Sequence, residues 1–203
     1  HTAWTLTEID FTDGPYLSEN STSTTLTPSG TTGSVTITAS ASTFAATDVG
    51  RLVSFSNGRA KITGFTSATV VAATTQDDFD NTNAVTAWKL GAFSGTTGHP
   101  SCVSFFEQRL VFAGTLAEPQ TLYFSKSGDY ENMTSGTNAD DAMIYTIASN
   151  QVNAIRFLKA QRTLIVGTTG GEFTVSADGT DASITPTNIL INRQSSYGSA
   201  NVD

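Results

Sequence analysis

The chain is short of charge. Only 14% of its 203 residues are Asp, Glu, Lys or Arg, with 18 acidic against 10 basic and a formal net charge of −8. A disordered acidic solubiliser carries far more charge than this. A phosphate-tracking surface needs clustered Lys and Arg. Here the ten cations are scattered, the closest grouping being Arg156-Lys159-Arg162, read as a solvated bend between strands. The scatter argues against tight binding to DNA or to an anionic membrane and leaves weak or repulsive proximity to DNA open. One cysteine, Cys102, forbids an internal disulfide. Cys102 precedes an apolar run and reads as a buried thiol. A catalytic cysteine needs a placed base, and His99 stands three residues away across Pro100, a spacing that assures no geometry. No apolar run approaches the ~20 residues of a membrane-spanning helix, and the first residues carry no signal-peptide pattern. The chain opens at His1, directly into a strand-like pattern, and reads as a portion of something longer.

What is abundant is threonine and serine: 35 Thr and 22 Ser, 57 of 203 residues. A branched Cβ resists helix and suits a pleated, half-exposed surface. Seventeen glycines push the same way. The composition excludes a helical bundle and a coiled coil, and the length allows one domain or two.

Period-2 alternation recurs along the chain. It begins over residues 2–11, with Trp4, Leu6, Ile9 and Phe11 as apolar members, and Asp13-Gly14-Pro15 then turns the chain. Residues 18–33 are Ser/Thr-dominated. Strands follow at 34–39, 48–55, 59–65 and 69–73, the second and third joined by Asn57-Gly58, the pair that favours a type I′ hairpin turn. Such spacing predicts a small antiparallel sandwich or barrel. Asp77-Asp78-Phe79-Asp80-Asn81 is the one dense acidic cluster. Alternating oxygens suit Ca²⁺, but the EF-hand pattern is absent, and a solvated loop is the plainer reading.

A second register starts at Trp88, placed to pair with Trp4 across the two ends of the intervening module. Strands at 102–106, 109–114 and 121–125 are followed by similar runs at 152–158, 163–167 and 172–176. The repeat, about 50 residues long, has the form of propeller blades. Phe105, Phe106, Phe112, Tyr123, Phe124, Phe157 and Phe173 fall on these strands and are expected to pack inward. Thr163 to Val166 carries neither charge nor proline and reads as an unprotected outer strand.

The segments Asp10-Phe11-Thr12-Asp13-Gly14-Pro15-Tyr16, Gly98-His99-Pro100, Glu107-Gln108-Arg109-Leu110-Val111-Phe112-Ala113-Gly114-Thr115 and Pro119 to Tyr130 resemble a family of bacteriophage proteins. Thr168 to Phe173, Ile184-Thr185-Pro186 and Ser196-Tyr197-Gly198 are similar to the same family. These are the tail nozzle or hub proteins of short-tailed phages (tail tubular protein B) and related prophage proteins. The resemblance runs from about residue 4 to residue 203, most specifically from His99 to Tyr130. It implies an all-β fold: part of a β-propeller platform, 1–20 and 88–203, with an inserted small β-sandwich or barrel at 21–87. It also implies a non-enzymatic virion role, in host cytoplasm during assembly. The chain would join a hexameric ring around the DNA exit channel, contacting adaptor, fibre or spike proteins, with DNA passing without tight binding. Family members are considerably longer.

Enzymatic readings find little support in the residues. No carboxylate pair sits in a glycosidase motif. Sialidase-type propellers carry Ser-x-Asp-x-Gly-x-x-aromatic turns, which Ser125 to Asp129 and Ser176 to Gly179 only graze. Gly167-Thr168-Thr169-Gly170-Gly171 lacks the Lys and the helix of a phosphate loop and reads as a hairpin turn. No catalytic, cofactor or metal-ligating set emerges. The alternative function is a carbohydrate-binding or receptor-facing adhesin module, and a weaker third is a propeller hydrolase. The absence of any sustained 3.6-residue period predicts under about a tenth of residues in helix. A far-UV circular dichroism spectrum with strong helical minima would contradict this.

Overall fold

The computed structural model describes residues 5, 9–148, 152–179 and 182–200. Among the described residues the protein is all-β, apart from a single 3₁₀ turn at Ala46–Asp48. Most of the strand pattern of residues 2–11, Trp4 included, lies outside the described residues.

The described residues form three antiparallel sheets. The first has six strands: β1 (Leu26–Pro28), β2 (Ser34–Ala39), β3 (Leu52–Phe55), β4 (Gly58–Ser67), β5 (Val70–Asp77) and β6 (Trp88–Leu90), in the order β1-β2-β5-β4-β3-β6. Alternation decides which face is inside. In β2, Val35, Ile37 and Ala39 are buried and Ser34, Thr36 and Thr38 exposed. The sheet curls into a half-barrel around Leu26, Ile37, Val53, Ile62 and Val71. Its ends approach each other: Leu26 and Val85 exchange backbone hydrogen bonds of 2.9 and 3.0 Å. Trp88 Nε1 donates to the Thr24 carbonyl at 2.9 Å, so Trp88 closes the curl.

The β3–β4 hairpin turns one residue earlier than Asn57-Gly58 predicts. The positive φ values belong to Ser56 (49°) and Asn57 (56°), and Gly58 pairs with Phe55 as the first residue of β4. Glycine is required there for a different reason: a Cβ would lie 2.5 Å from the Asp78 backbone carbonyl oxygen. Asp77, Asp78, Asp80 and Asn81 are exposed, as a solvated loop should be, while the segment is anchored beside the turn by its aromatic residue. Phe79 is buried and stacks on Phe55 with ring centroids 4.3 Å apart.

The second sheet is a four-stranded meander, β7 (Cys102–Phe106), β8 (Arg109–Ala113), β9 (Thr121–Phe124) and β10 (Met143–Thr146). The third is another, β11 (Ile155–Ala160), β12 (Leu164–Thr168), β13 (Gly171–Ser176) and β14 (Leu190–Ser195). Each repeat read from the sequence as three strands therefore has four. The two sheets share one core, in which Phe106, Val111, Leu122 and Phe124 meet Leu164, Val166, Phe173 and Val175. Strands β7 and β11 lie side by side. Cys102 is buried there, its Sγ 3.9 Å from the Ile155 carbonyl oxygen.

Several expectations are corrected. Thr163 to Val166 is not an outer strand: β12 lies between β11 and β13, and Leu164 and Val166 are fully buried. Its lack of charge reflects an interior position. Arg156 and Lys159 stand on β11 rather than on a bend. Phe106, Tyr123, Phe124 and Phe173 pack inward, whereas Phe105 is 60% exposed, its ring edge-on to Tyr130. Strand β7 ends its sheet, and the face carrying Val103 and Phe105 points away from the shared core.

Arg109 fixes the long β9–β10 connection. Its Nη1 donates to the Ser125 and Asp141 carbonyls at 2.8 and 2.7 Å, and its Nη2 to that of Ala139 at 2.6 Å.

The contact at Gly58 predicts that Gly58→Ala destabilises the protein by about 1–3 kcal/mol, the usual cost of overpacking against an immobile neighbour. Gly64→Ala, whose Cβ would meet only the Ala72 methyl at 3.6 Å, should stay within about 0.5 kcal/mol of the parent. Urea unfolding of both variants checks this; equal losses would refute the assignment.

Candidate functional site

A cleft of about 670 Å³ opens between the first and second sheets. Its floor is a strap of N-terminal chain, residues 11–20. The strap hydrogen-bonds to one sheet system at each end: Thr12 N–H to Glu131 O (3.0 Å), Leu17 N–H to Leu90 O (2.9 Å) and Asn20 N–H to Trp88 O (2.9 Å).

One wall comes from the outer face of the half-barrel. Across the strands, Ser54 is paired with Arg59 on β4 and with Lys89 on β6. Directly opposed residues share a face, and neighbouring strands are about 4.8 Å apart. Arg59, Ser54 and Lys89 therefore form one row, with the two cations about 10 Å apart at the backbone. The other wall is the second face of β9 and β10, with Tyr123, Ile144 and the pair Thr121–Thr146, whose hydroxyls are 2.8 Å apart.

The polar groups at the floor are organised by Asp13. Its Oδ1 accepts from the Tyr16 hydroxyl at 2.7 Å and its Oδ2 from the Thr134 hydroxyl at 2.5 Å. Arg59 Nη1 lies 3.5 Å from Asp13 Oδ2 and 3.3 Å from Asp77 Oδ2. Arg59 Nε is buried with no hydrogen-bond partner. Lys89 is exposed and forms no ion pair with the described residues. Burial, then the hydrogen bond to Asp13, pushes the Tyr16 hydroxyl well above the ordinary tyrosine range. Burial, then the charge of Glu118, pushes Tyr123 up to about 12.

A second polar centre lies behind the cleft. Asp48 and Arg51 form a buried ion pair at 2.9 Å, 1% and 4% exposed. Asp48 Oδ1 also accepts from Thr96 at 2.7 Å, and Arg51 Nε donates to the Gly91 carbonyl at 2.7 Å. This network fixes the segment that leaves β6. A smaller cleft of about 310 Å³ lies beside it, bordered by Phe11, Phe93, Phe112 and His99.

The acidic cluster 77–81 does not converge. Asp77 faces Arg59, and Asp80 accepts from the Asn57 side chain at 2.6 Å. Among the described residues no three His, Cys, Asp or Glu side chains gather as metal ligands. Arg156 and Lys159 lie on the third sheet, away from the cleft. Sequence reading missed the Arg59–Ser54–Lys89 row. Each residue is legible as a strand position, but the pairing of β6 with β3 spans more than thirty residues and leaves no local signal.

No protein-family model matches the sequence, and no curated protein matches it.

The tyrosines predict an alkaline limb of stability. The folded state holds the Tyr123 proton up to about 12, whereas the unfolded chain releases it at about 10. Folding then binds more protons than unfolding in that interval, so stability falls as pH rises through it, with Tyr16 acting in the same direction. Denaturant midpoints measured across this range should decline, and Tyr123→Phe should flatten the decline. A constant midpoint would contradict the burial.

Proposed function

We propose that the chain is a non-enzymatic structural component of a short-tailed phage tail, part of the nozzle or hub that surrounds the DNA exit channel. The observation that carries this reading is the pair of consecutive four-stranded meanders, β7–β10 and β11–β14, packed face to face with their first strands adjacent. That is how successive propeller blades stack, with first strands toward the axis and later strands outward. The half-barrel of residues 26–90 is, in this reading, the module carried on the platform. The resemblance of residues 99–130 to the nozzle family supports the same assignment, and in this reading the protein would sit in the virion beside adaptor, fibre or spike proteins.

The charge balance suits a conduit. A surface with net charge −8 repels the phosphate backbone at long range, so DNA passes without being held. Like charge lowers affinity without needing any specific contact.

Electron microscopy of the protein at its natural length should show closed rings of six subunits, and an antibody to this chain should label the tail of the virion. A monomer that forms no ring, or absence from virions, would overturn the reading. Duplex DNA should bind more weakly than about 1 µM at about 0.15 M salt. Tighter, steeply salt-dependent binding would show that the channel assignment misplaces this surface.

A further inference from the structure

The large cleft has the chemistry of a ligand site, and this inference does not rest on the tail reading. We propose that it binds an acidic saccharide, with the sugar carboxylate seated on the Arg59–Ser54–Lys89 row and the hydroxyls on the opposite wall.

The argument starts from what the cleft's charged groups already do. Asp13 is already engaged: each carboxylate oxygen accepts a hydroxyl hydrogen bond, and Arg59 lies beside it. Glu118 accepts from Thr121 at 3.2 Å. Arg59 is shared by Asp13 and Asp77 through one terminal nitrogen, at 3.5 and 3.3 Å respectively, distances longer than a bidentate pair makes. Its guanidinium is therefore loosely held, with Nε unpaired. Lys89 has no carboxylate partner among the described residues and opens onto the cleft. Two cations flanking a serine hydroxyl, one loosely held and one unpaired, form a seat for a carboxylate.

A bare anion fits less well. Glu19 and Glu118 also line the cleft and repel a multiply charged sulfate or phosphate more strongly than a singly charged carboxylate. The same carboxylates are good acceptors for sugar hydroxyls. A ligand that satisfies both walls carries a carboxylate at one end and several hydroxyls at the other. Uronic and sialic acids have that composition. The cleft also offers Tyr16, Leu17 and Ile144 as apolar surface for the C–H face of a sugar ring. Its volume, about 670 Å³, falls within the range of small-ligand sites and leaves room for more than one sugar ring.

Glycan-array screening of the chain, followed by calorimetry with 3′-sialyllactose and digalacturonate, tests the proposal. At least one acidic probe should bind with Kd of about 1 mM or tighter, and lactose at least about tenfold more weakly. Lys89→Ala should weaken the acidic probe about tenfold or more with an unchanged unfolding midpoint, since the lysine is exposed and has no ion pair. Ser135→Trp, an exposed position on the cleft rim, should block binding by filling the space. Lys159→Ala, on the third sheet, should leave it unchanged. Three results would each overturn the proposal: no binding of any acidic glycan, equal binding of lactose, or an acidic-probe affinity indifferent to Lys89→Ala. Inorganic sulfate that competes as well as the sugar acids would reduce the site to an anion site and overturn the saccharide assignment.

Discussion

The strap of residues 11–20 is the constraint on which the relation between the half-barrel and the meanders depends. Its backbone hydrogen bonds are divided between the two. Thr12 and Asp13 bond to Glu131 and Met133, while Leu17 and Asn20 bond to Leu90 and Trp88. Pulling either unit away would strand several of these donors and acceptors, each costly to leave unpaired once buried. Asp13 repeats the division with its side chain, accepting from Tyr16 within the strap and from Thr134 of the β9–β10 connection. Between them, Gly14 adopts φ of 61° with its α-carbon against Met133, where a Cβ would lie 2.8 Å from a carbonyl oxygen. Only glycine meets both demands. The floor of the cleft is thus the joint of the molecule.

A second tie works from the other side. The Asp48–Arg51 pair holds the segment leaving β6 through Gly91 and Thr96. A buried ion pair contributes little net stability against an apolar substitute, because desolvation offsets much of the attraction. Its effect is to fix direction. Charged groups that need each partner at one place admit one path for the chain between the sheets. The four-ring cluster of Phe11, Phe93, Phe112 and Tyr123, with centroid separations of 5.1 to 5.9 Å, then supplies apolar burial at the same junction. Polar groups select the geometry and the rings stabilise it.

Much of this was legible from local pattern alone. The strands β2 to β5, and the first three strands of each meander, were legible as short runs rich in apolar residues bounded by turn residues. The fourth strands were not legible for a physical reason. In β14 no residue is fully buried, so nothing selects apolar side chains at alternate positions. Strand β10 has four residues, of which only Met143 is buried. The turn after β3 was displaced by one because Gly58 serves a close backbone approach rather than a positive φ. The cation row was invisible because register between distant strands is set by three-dimensional closure. The acidic residues of 77–81 are exposed, as their reading as a solvated loop expects, but its one aromatic, Phe79, gave no sign that it would anchor the segment in the core.

The two meanders differ in how their faces are covered, and that difference constrains any assembly. The second sheet is covered on one face by the third sheet, through Val111 and Phe124, and on part of the other by the strap and its ring cluster, through Phe112 and Tyr123, while Val103 and Phe105 of β7 stay exposed. The third sheet buries one face. Its other face presents Lys159, Thr174, Asn192 and Gln194, with Gln194 hydrogen-bonded to Thr174 at 2.9 Å. Phe157 lies over Gly167, where a Cβ would come within 2.1 Å of the ring, so the one large aromatic on this face is folded down onto the backbone. A further blade or subunit placed here meets hydroxyls, amides and a lysine, interrupted by Ile165 and the exposed Leu190, rather than a continuous apolar plate. Such an interface binds through hydrogen bonds and trapped water, and each polar group it buries needs a partner. In the propeller reading, closure against this face is therefore selective for a complementary polar surface. The same chemistry that makes the interface selective keeps the face from pairing at random with other apolar surfaces.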